Sequence, residues 1–207
     1  MVTPFILSLM TNDPLKQARA ELTAAHKCIA SMKSATDMES FEAEWRSFLN
    51  CLEKLWVKVE RSCQPYKNAF QPWQGKYSAL RKDDDLLRYL KAARHADNHS
   101  IQDVAKMNPG VETLRFTNPQ GGYIKHMTIT NGRISAYEGD PMIHEVTPPQ
   151  PVVVEVVNSG VTFEPPKLHL GAPIPSLHPL LLAVLGLKFY SSFFQDVKIQ
   201  FFPETTH

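Results

Sequence analysis

Residues 83–99 read Asp83-Asp84-Asp85-Leu86-Leu87-Arg88-Tyr89-Leu90-Lys91-Ala92-Ala93-Arg94-His95-Ala96-Asp97-Asn98-His99. The acidic triplet has the chemistry of a helix start, because carboxylates there accept orphan N–H groups and meet the positive end of the helix dipole. On a 3.6-residue period Leu87, Leu90, Arg94, Asp97 and Ile101 fall on one stripe, which predicts a helix from about Asp85 to Val104. Arg94 and Asp97 interrupt that apolar face. Burying them is costly unless they are paired or line a wet cleft.

Working towards the N-terminus, two further helices are predicted. Asp13 caps the first and Pro14 opens it, and Leu15, Ala18, Leu22, Ala25, Ile29 and Met32 recur at three- and four-residue steps. Thr36-Asp37-Met38-Glu39 has capping-box spacing, and Phe41, Trp45, Phe48, Leu52, Leu55 and Val59 carry the second helix to about Cys63. Pro65 and Pro72 are read as breaks, leaving the Trp73–Lys82 segment as a loop plus a short helix. Helices this close together predict a small bundle.

Past Met107 the chain changes to Pro, Gly and β-branched residues. Thr113–Thr117, Tyr123–Thr130 and Arg133–Glu138 read as strands, and Asn131-Gly132 between the last two is a hairpin signal. Pro148-Pro149-Gln150-Pro151 is a stiff connector. Val152–Val157 reads as a buried strand, Asn158-Ser159-Gly160 as a turn, and Val161–Phe163 and Leu168–Leu170 as short strands. Leu180 to about Lys198 reads as a closing helix with Leu181, Leu185, Phe189 and Phe193 on one side. The predicted class is α+β: a helical bundle over 1–106, then a β-rich domain over 107–207 closed by the last helix.

The chain has 207 residues, 43% of them hydrophobic and 21% charged, ordinary values for a folded protein. A formal net charge of +1 excludes a bulk-basic nucleic-acid coat and leaves only a local basic cleft as a route to RNA. Three cysteines, Cys28, Cys51 and Cys63, without CxxC spacing point to free thiols in a reducing compartment. Met1–Met10 lacks a basic n-region and a cleavage site, and Leu180–Leu187 falls short of the roughly 18 residues of a span. A cytoplasmic protein away from membranes is expected.

Three readings of the Arg94–His99 stretch follow from its chemistry. Arg94 can present a permanently charged fork to phosphate while His99 moves a proton near neutral pH. His95 and His99, at i and i+4, can instead hold a metal with Asp97. Or Arg94 and Asp97 form a structural ion pair with surface histidines beside it. Arg94 and His99 are about 140° apart on an ideal helix, so one straight helix does not bring them to one small target.

Arg94-His95-xxx-His99, preceded by Leu86–Ala93, resembles the Arg–polar residue–His motif in the final helix of HEPN domains. The resemblance covers roughly residues 10–106. It implies a metal-independent endoribonuclease of the kind used in toxin–antitoxin, phage-defence and CRISPR-associated systems. It further implies a homodimer whose motif helices face each other, with Arg94 and His99 as the catalytic pair and His95 as the positioning polar residue. Single-stranded RNA is the implied substrate, no cofactor or metal is required, and an antitoxin is a possible partner. Arg88, Lys91 and Asn98 are the RNA-binding candidates should they flank a cleft with Arg94. Many HEPN-like domains have lost activity, so an inert dimerisation module binding a protein or ligand is the alternative. The other basic residues, Lys54, Lys58, Arg61, Lys76, Arg81 and Lys82, read as solvated helix faces, and His126, His144, His169 and His178 as surface or structural.

Overall fold

The computed structural model describes residues 13–99 and 102–203, without the side chains of Asn98 and His99. The Met1–Met10 run and Ile101 of the expected stripe lie outside the described residues. The fold is α+β: four helices, short antiparallel strands, and a fifth helix.

Helix α1 spans Lys16–Ser34 and α2 spans Met38–Ser62. The N-cap position of α1 is Leu15, without a side-chain cap. The expected cap Asp13 and the expected opening residue Pro14 therefore lie in the turn ahead of it, where the Asp13 carboxylate accepts the Leu15 N–H at 3.0 Å and holds Arg19 at 3.0 Å. The cap of α2 is Asp37, one residue beyond the expected Thr36. Its extended backbone sets the carboxylate over the Ser40 N–H at 2.7 Å, and that bond holds the Asp37 carboxyl below its ordinary range. Apart from half-buried Leu22, the expected stripes on both helices are buried in one core, in which Trp45, Phe48 and Leu55 are fully enclosed.

Helix α3 runs over Lys67–Asp83 with Pro72 inside it, where a loop and a short helix were expected. An internal proline removes a ladder bond and crowds the preceding turn, a cost of about 3 kcal/mol. Aromatic packing offsets it. Trp73 lies 5.3 Å from Phe201, Tyr77 lies 5.0 Å from Phe193, and Phe70 meets Phe201 edge-on. Helix α4 covers Asp85–His99, and residues 102–104 are already non-helical, so it stops short of Val104.

Helix α5, Pro179–Phe201, belongs to the bundle. It buries Leu182, Leu187, Phe189, Phe193, Phe194 and Val197, and Trp56 of α2 stacks on Phe193 at 4.6 Å. Gly186 leaves room for the Leu90 side chain of α4, since a Cβ there would stand 2.6 Å from Leu90 Cδ1. The helix is long and apolar enough to cross a membrane by length and composition, a test that a core helix also passes. Apolar residues occupy most of its circumference, so it needs partners on several sides.

Two compact units result: residues 1–106 with 151–207, and residues 107–150. The expected boundary at 106/107 coincides with the start of the smaller unit, but the chain returns to the larger one at Pro151 instead of continuing as one β domain. Strand β1 is Ala105–Asn108 and β6 is Gln150–Val153, and the two pair. The smaller unit is a nested pair of ribbons: β2 (Val111–Phe116) with β5 (Met142–Thr147), and β3 (Ile124–Thr130) with β4 (Arg133–Gly139). Asn131 and Gly132 take φ of 51° and 76°, the two left-handed residues of a type I′ turn, as the sequence predicts.

In the larger unit the expected Val152–Val157 strand is two pieces, β6 and β7 (Val156–Asn158). β7 pairs with β8 (Val161–Phe163) around Ser159-Gly160, and β9 (Leu168–His169) pairs with β10 (Ala172–Pro173). The cysteines are free and buried, and burial raises the Cys28 and Cys63 thiols to about 12.

His178 caps α5: its Nδ1 accepts the Leu180 N–H at 3.1 Å while its ring meets Phe41 edge-on at 5.6 Å. That role needs an unprotonated Nδ1, and burial lowers the His178 pKa from 6.5. The neutral form is therefore favoured in the folded state. Its contribution is complete above the unfolded value of 6.5 and is lost as pH falls through the lower folded value. Denaturant unfolding across this range should show stability declining below about pH 6.5, with a shallower decline in His178→Asn, which keeps an acceptor that does not titrate. Equal slopes in the two proteins would contradict the cap.

Candidate functional site

Helix α4 is fixed at its start by one carboxylate. Asp84 Oδ1 accepts the Leu87 N–H and the His169 Nδ1–H, each at 3.0 Å, and Oδ2 accepts the Leu170 N–H at 2.6 Å. The middle Asp of the triplet thus caps α4 as expected and also ties down the β9–β10 turn. His169 is structural, its side chain only 10% exposed. Two more bonds stitch the following segment along α4. Tyr89 OH donates to Val154 O at 2.6 Å, and the Gln102 amide pairs in both directions with the Val157 backbone at 2.8 Å. These bonds explain why Tyr89, Ala92 and Ala96 are buried alongside the expected Leu87 and Leu90.

The polar residues of α4 divide between two faces. Arg94 and Asp97 turn towards α2, where Glu42, Arg46 and Asn50 recur at four-residue steps. Arg94 Nε donates to Asn50 Oδ1 at 3.3 Å. Asp97 pairs with Arg46, which also holds Glu42 at 2.8 Å. Burial works against the Arg46 charge, but hydrogen bonds to Asp97 and Glu42 outweigh it and raise the guanidinium pKa. The sequence marks Asp97 as an anion beside Arg94; its cation on α2, 51 residues away, is not legible from the motif.

Arg88, Lys91 and His95 stand on the other face and line a cleft of about 530 Å³ with Lys82 and Arg81 of α3. Phe163 and Asn158 of the β7–β8 hairpin also line it. Arg88 and Lys91 therefore do flank a cleft, but it is one lined by His95 and not by Arg94. The side chains of His99 and Asn98 lie outside the described residues. Arg81 is not a solvated charge. It is 7% exposed, donates from Nε to Tyr190 OH at 3.0 Å, pairs with Glu53 at 2.5 Å, and lies 4.0 Å over the Trp56 ring. Lys58 is also engaged, with Glu21 at 2.5 Å. Among the described residues no group of three or more His, Cys, Asp or Glu side chains is placed to hold a metal ion.

Comparisons with protein-family models, with curated proteins and with solved structures found no match to this chain.

The α2–α4 seam has a measurable consequence. Asp97→Asn should lower unfolding stability by about 1–2 kcal/mol, the scale of a charge-assisted hydrogen bond in a partly wet setting. In an Arg46→Met background the same change should cost little, so a double-mutant cycle reads the coupling. Additive losses would contradict a direct Arg46–Asp97 pair.

Proposed function

We propose that this protein is a HEPN-type, metal-independent endoribonuclease that cleaves single-stranded RNA as a homodimer, with the α4 helices of two chains facing one composite cleft. The observation that carries this reading is the seam itself. Asn50 orients the Arg94 guanidinium, while the one carboxylate inside the motif, Asp97, is bound to a cation from α2. The motif's own anion is thereby engaged by Arg46.

In the proposed reaction the ribose 2′-oxygen gives its proton to a His99 imidazole and attacks the adjacent phosphorus. The 5′-oxygen leaves with a proton returned by imidazolium, giving a 2′,3′-cyclic phosphate and a 5′-hydroxyl. Arg94 stabilises charge on the phosphorane oxygens, the kind of electrostatic assistance worth most in a site with little water. The resemblance makes His95 a positioning residue, but within one chain it lines the Arg88–Lys91 cleft and is given no part in this step; Asn98, next to His99, contacts the RNA strand. Arg88 and Lys91 take no part in this step, because they face a cleft that Arg94 does not line. A cytoplasmic toxin or phage-defence component with an antitoxin partner is the setting this reading implies.

A second reading also draws on the seam. Arg46–Asp97 and Asn50–Arg94 brace α2 against α4, as a catalytically inert dimerisation or ligand-binding module would require.

Incubation of the purified chain with single-stranded RNA in EDTA separates the two. Cleavage should yield 2′,3′-cyclic phosphate ends, and His99→Ala or Arg94→Ala should slow it by about 10²-fold or more at unchanged far-UV circular dichroism. An inactive wild type, or equal rates in His99→Ala, contradicts the nuclease. Loss of folding in Arg94→Ala with no wild-type cleavage supports the brace.

A further inference from the structure

The cleft on the Arg88–Lys91–His95 face is independent of the Arg94 site and has the features of a ligand pocket. Its volume of about 530 Å³ falls within the roughly 300–1,000 Å³ of small-molecule sites. A second hollow of about 330 Å³ continues it along α4 and shares Arg88 and Phe163 with it. The groove is therefore larger than an inorganic ion requires.

Charge chooses the ligand. Four permanent cations, Arg81, Lys82, Arg88 and Lys91, line the 530 Å³ hollow with a single carboxylate, Glu60, while the adjoining hollow adds Lys167 and the carboxylates of Asp85 and Glu164. Glu60 Oε1 already accepts the Trp56 indole N–H and the Gln74 amide, both at 2.9 Å, and Arg81 is taken by Glu53. Arg88 has only an exposed, 3.3 Å contact with Asp85, and among the described residues Lys82 and Lys91 make no salt bridge. Three cations from two helices thus face one opening with little built-in neutralisation, a cost that a bound dianion relieves.

The opposite wall is of another character. The half-buried Phe163 ring and the Asn158 amide come from the β7–β8 hairpin, which the Gln102–Val157 pairing holds against α4. An apolar surface with one amide suits the body of a molecule whose phosphate sits on the cations.

We propose that this groove binds a small organic phosphate: a phosphomonoester dianion held by Lys82, Arg88 and Lys91, with its ring body packed on Phe163 and hydrogen-bonded to Asn158. Nucleotides and sugar phosphates share that chemistry. The Phe163 wall distinguishes them by degree, since a planar base stacks its whole π-face on the ring whereas a saturated sugar offers only C–H contacts.

Isothermal titration of the full chain with inorganic phosphate, a nucleoside 5′-monophosphate and a hexose phosphate tests the site without reference to RNA cleavage. At least one organic phosphate should bind about tenfold or more tightly than inorganic phosphate, with affinity falling as salt rises. The Arg88→Ala/Lys91→Ala double variant alters two exposed side chains, so it should keep the wild-type thermal midpoint and lose about tenfold or more in affinity. Phe163→Ala should weaken the nucleotide and spare the hexose phosphate if the natural ligand carries a base, and weaken neither preferentially if it is a sugar phosphate. No binding of either organic phosphate at millimolar concentration, undiminished binding by the double variant, or binding confined to oligoribonucleotides overturns the proposal.

Discussion

The larger unit depends on the carboxylate of Asp84. A single side chain, 5% exposed, closes the first turn of α4 and accepts from His169 and Leu170. Removing a cap alone costs about 1 kcal/mol, and leaving further buried donors unmet adds to it. The flanking Asp83 and Asp85 do not share this task. Their role in the triplet is charge near a helix end, whereas Asp84 links residues 85 positions apart and so makes α4 the common wall between the bundle and the segment that returns after the smaller unit.

Once α4 is fixed, its remaining faces are assigned by packing. Leu90 is pressed against α5 where Gly186 leaves room, and Leu86, Leu87 and Ala93 complete the apolar contact. Its polar residues then have two outlets. Arg94 and Asp97 go to the α2 seam, and Arg88, Lys91 and His95 go to the open cleft. Adjacent residues in the sequence, Arg94 and His95, consequently serve different surfaces, as the 100° step of a helix requires.

Local chemistry made much of the fold legible. The stripes of α1 and α2, the Asn131-Gly132 turn and the acidic start of α4 all follow from short-range rules and lie where those rules put them, whereas Asp13 stands two residues ahead of the α1 N-cap position. The errors share a cause in long-range packing. Pro72 reads as a break until Phe193 and Phe201 are placed beside Phe70, Trp73 and Tyr77. Arg81 reads as a surface charge until Glu53, Trp56 and Tyr190 surround it. The closing helix was legible as an element but not as a member of the bundle, because nothing local in Leu180–Lys198 says which apolar face it meets. At the candidate site the interruption of a core stripe by Arg94 and Asp97 was visible, but not the partners Asn50 and Arg46. The basic cleft was invisible because one of its walls comes from residues 158 and 163, about a hairpin's length beyond the end of the other unit.

The helical geometry also sets the condition on which the nuclease reading stands. Arg94 and His99 are about 140° apart around an ideal helix, so a shared target needs a second α4. Sedimentation velocity of the intact chain at the concentration where RNA is cleaved tests this most directly. The account predicts a particle of twice the chain mass, with cleavage activity sedimenting in the same fractions. Activity travelling with a single chain would contradict the composite cleft.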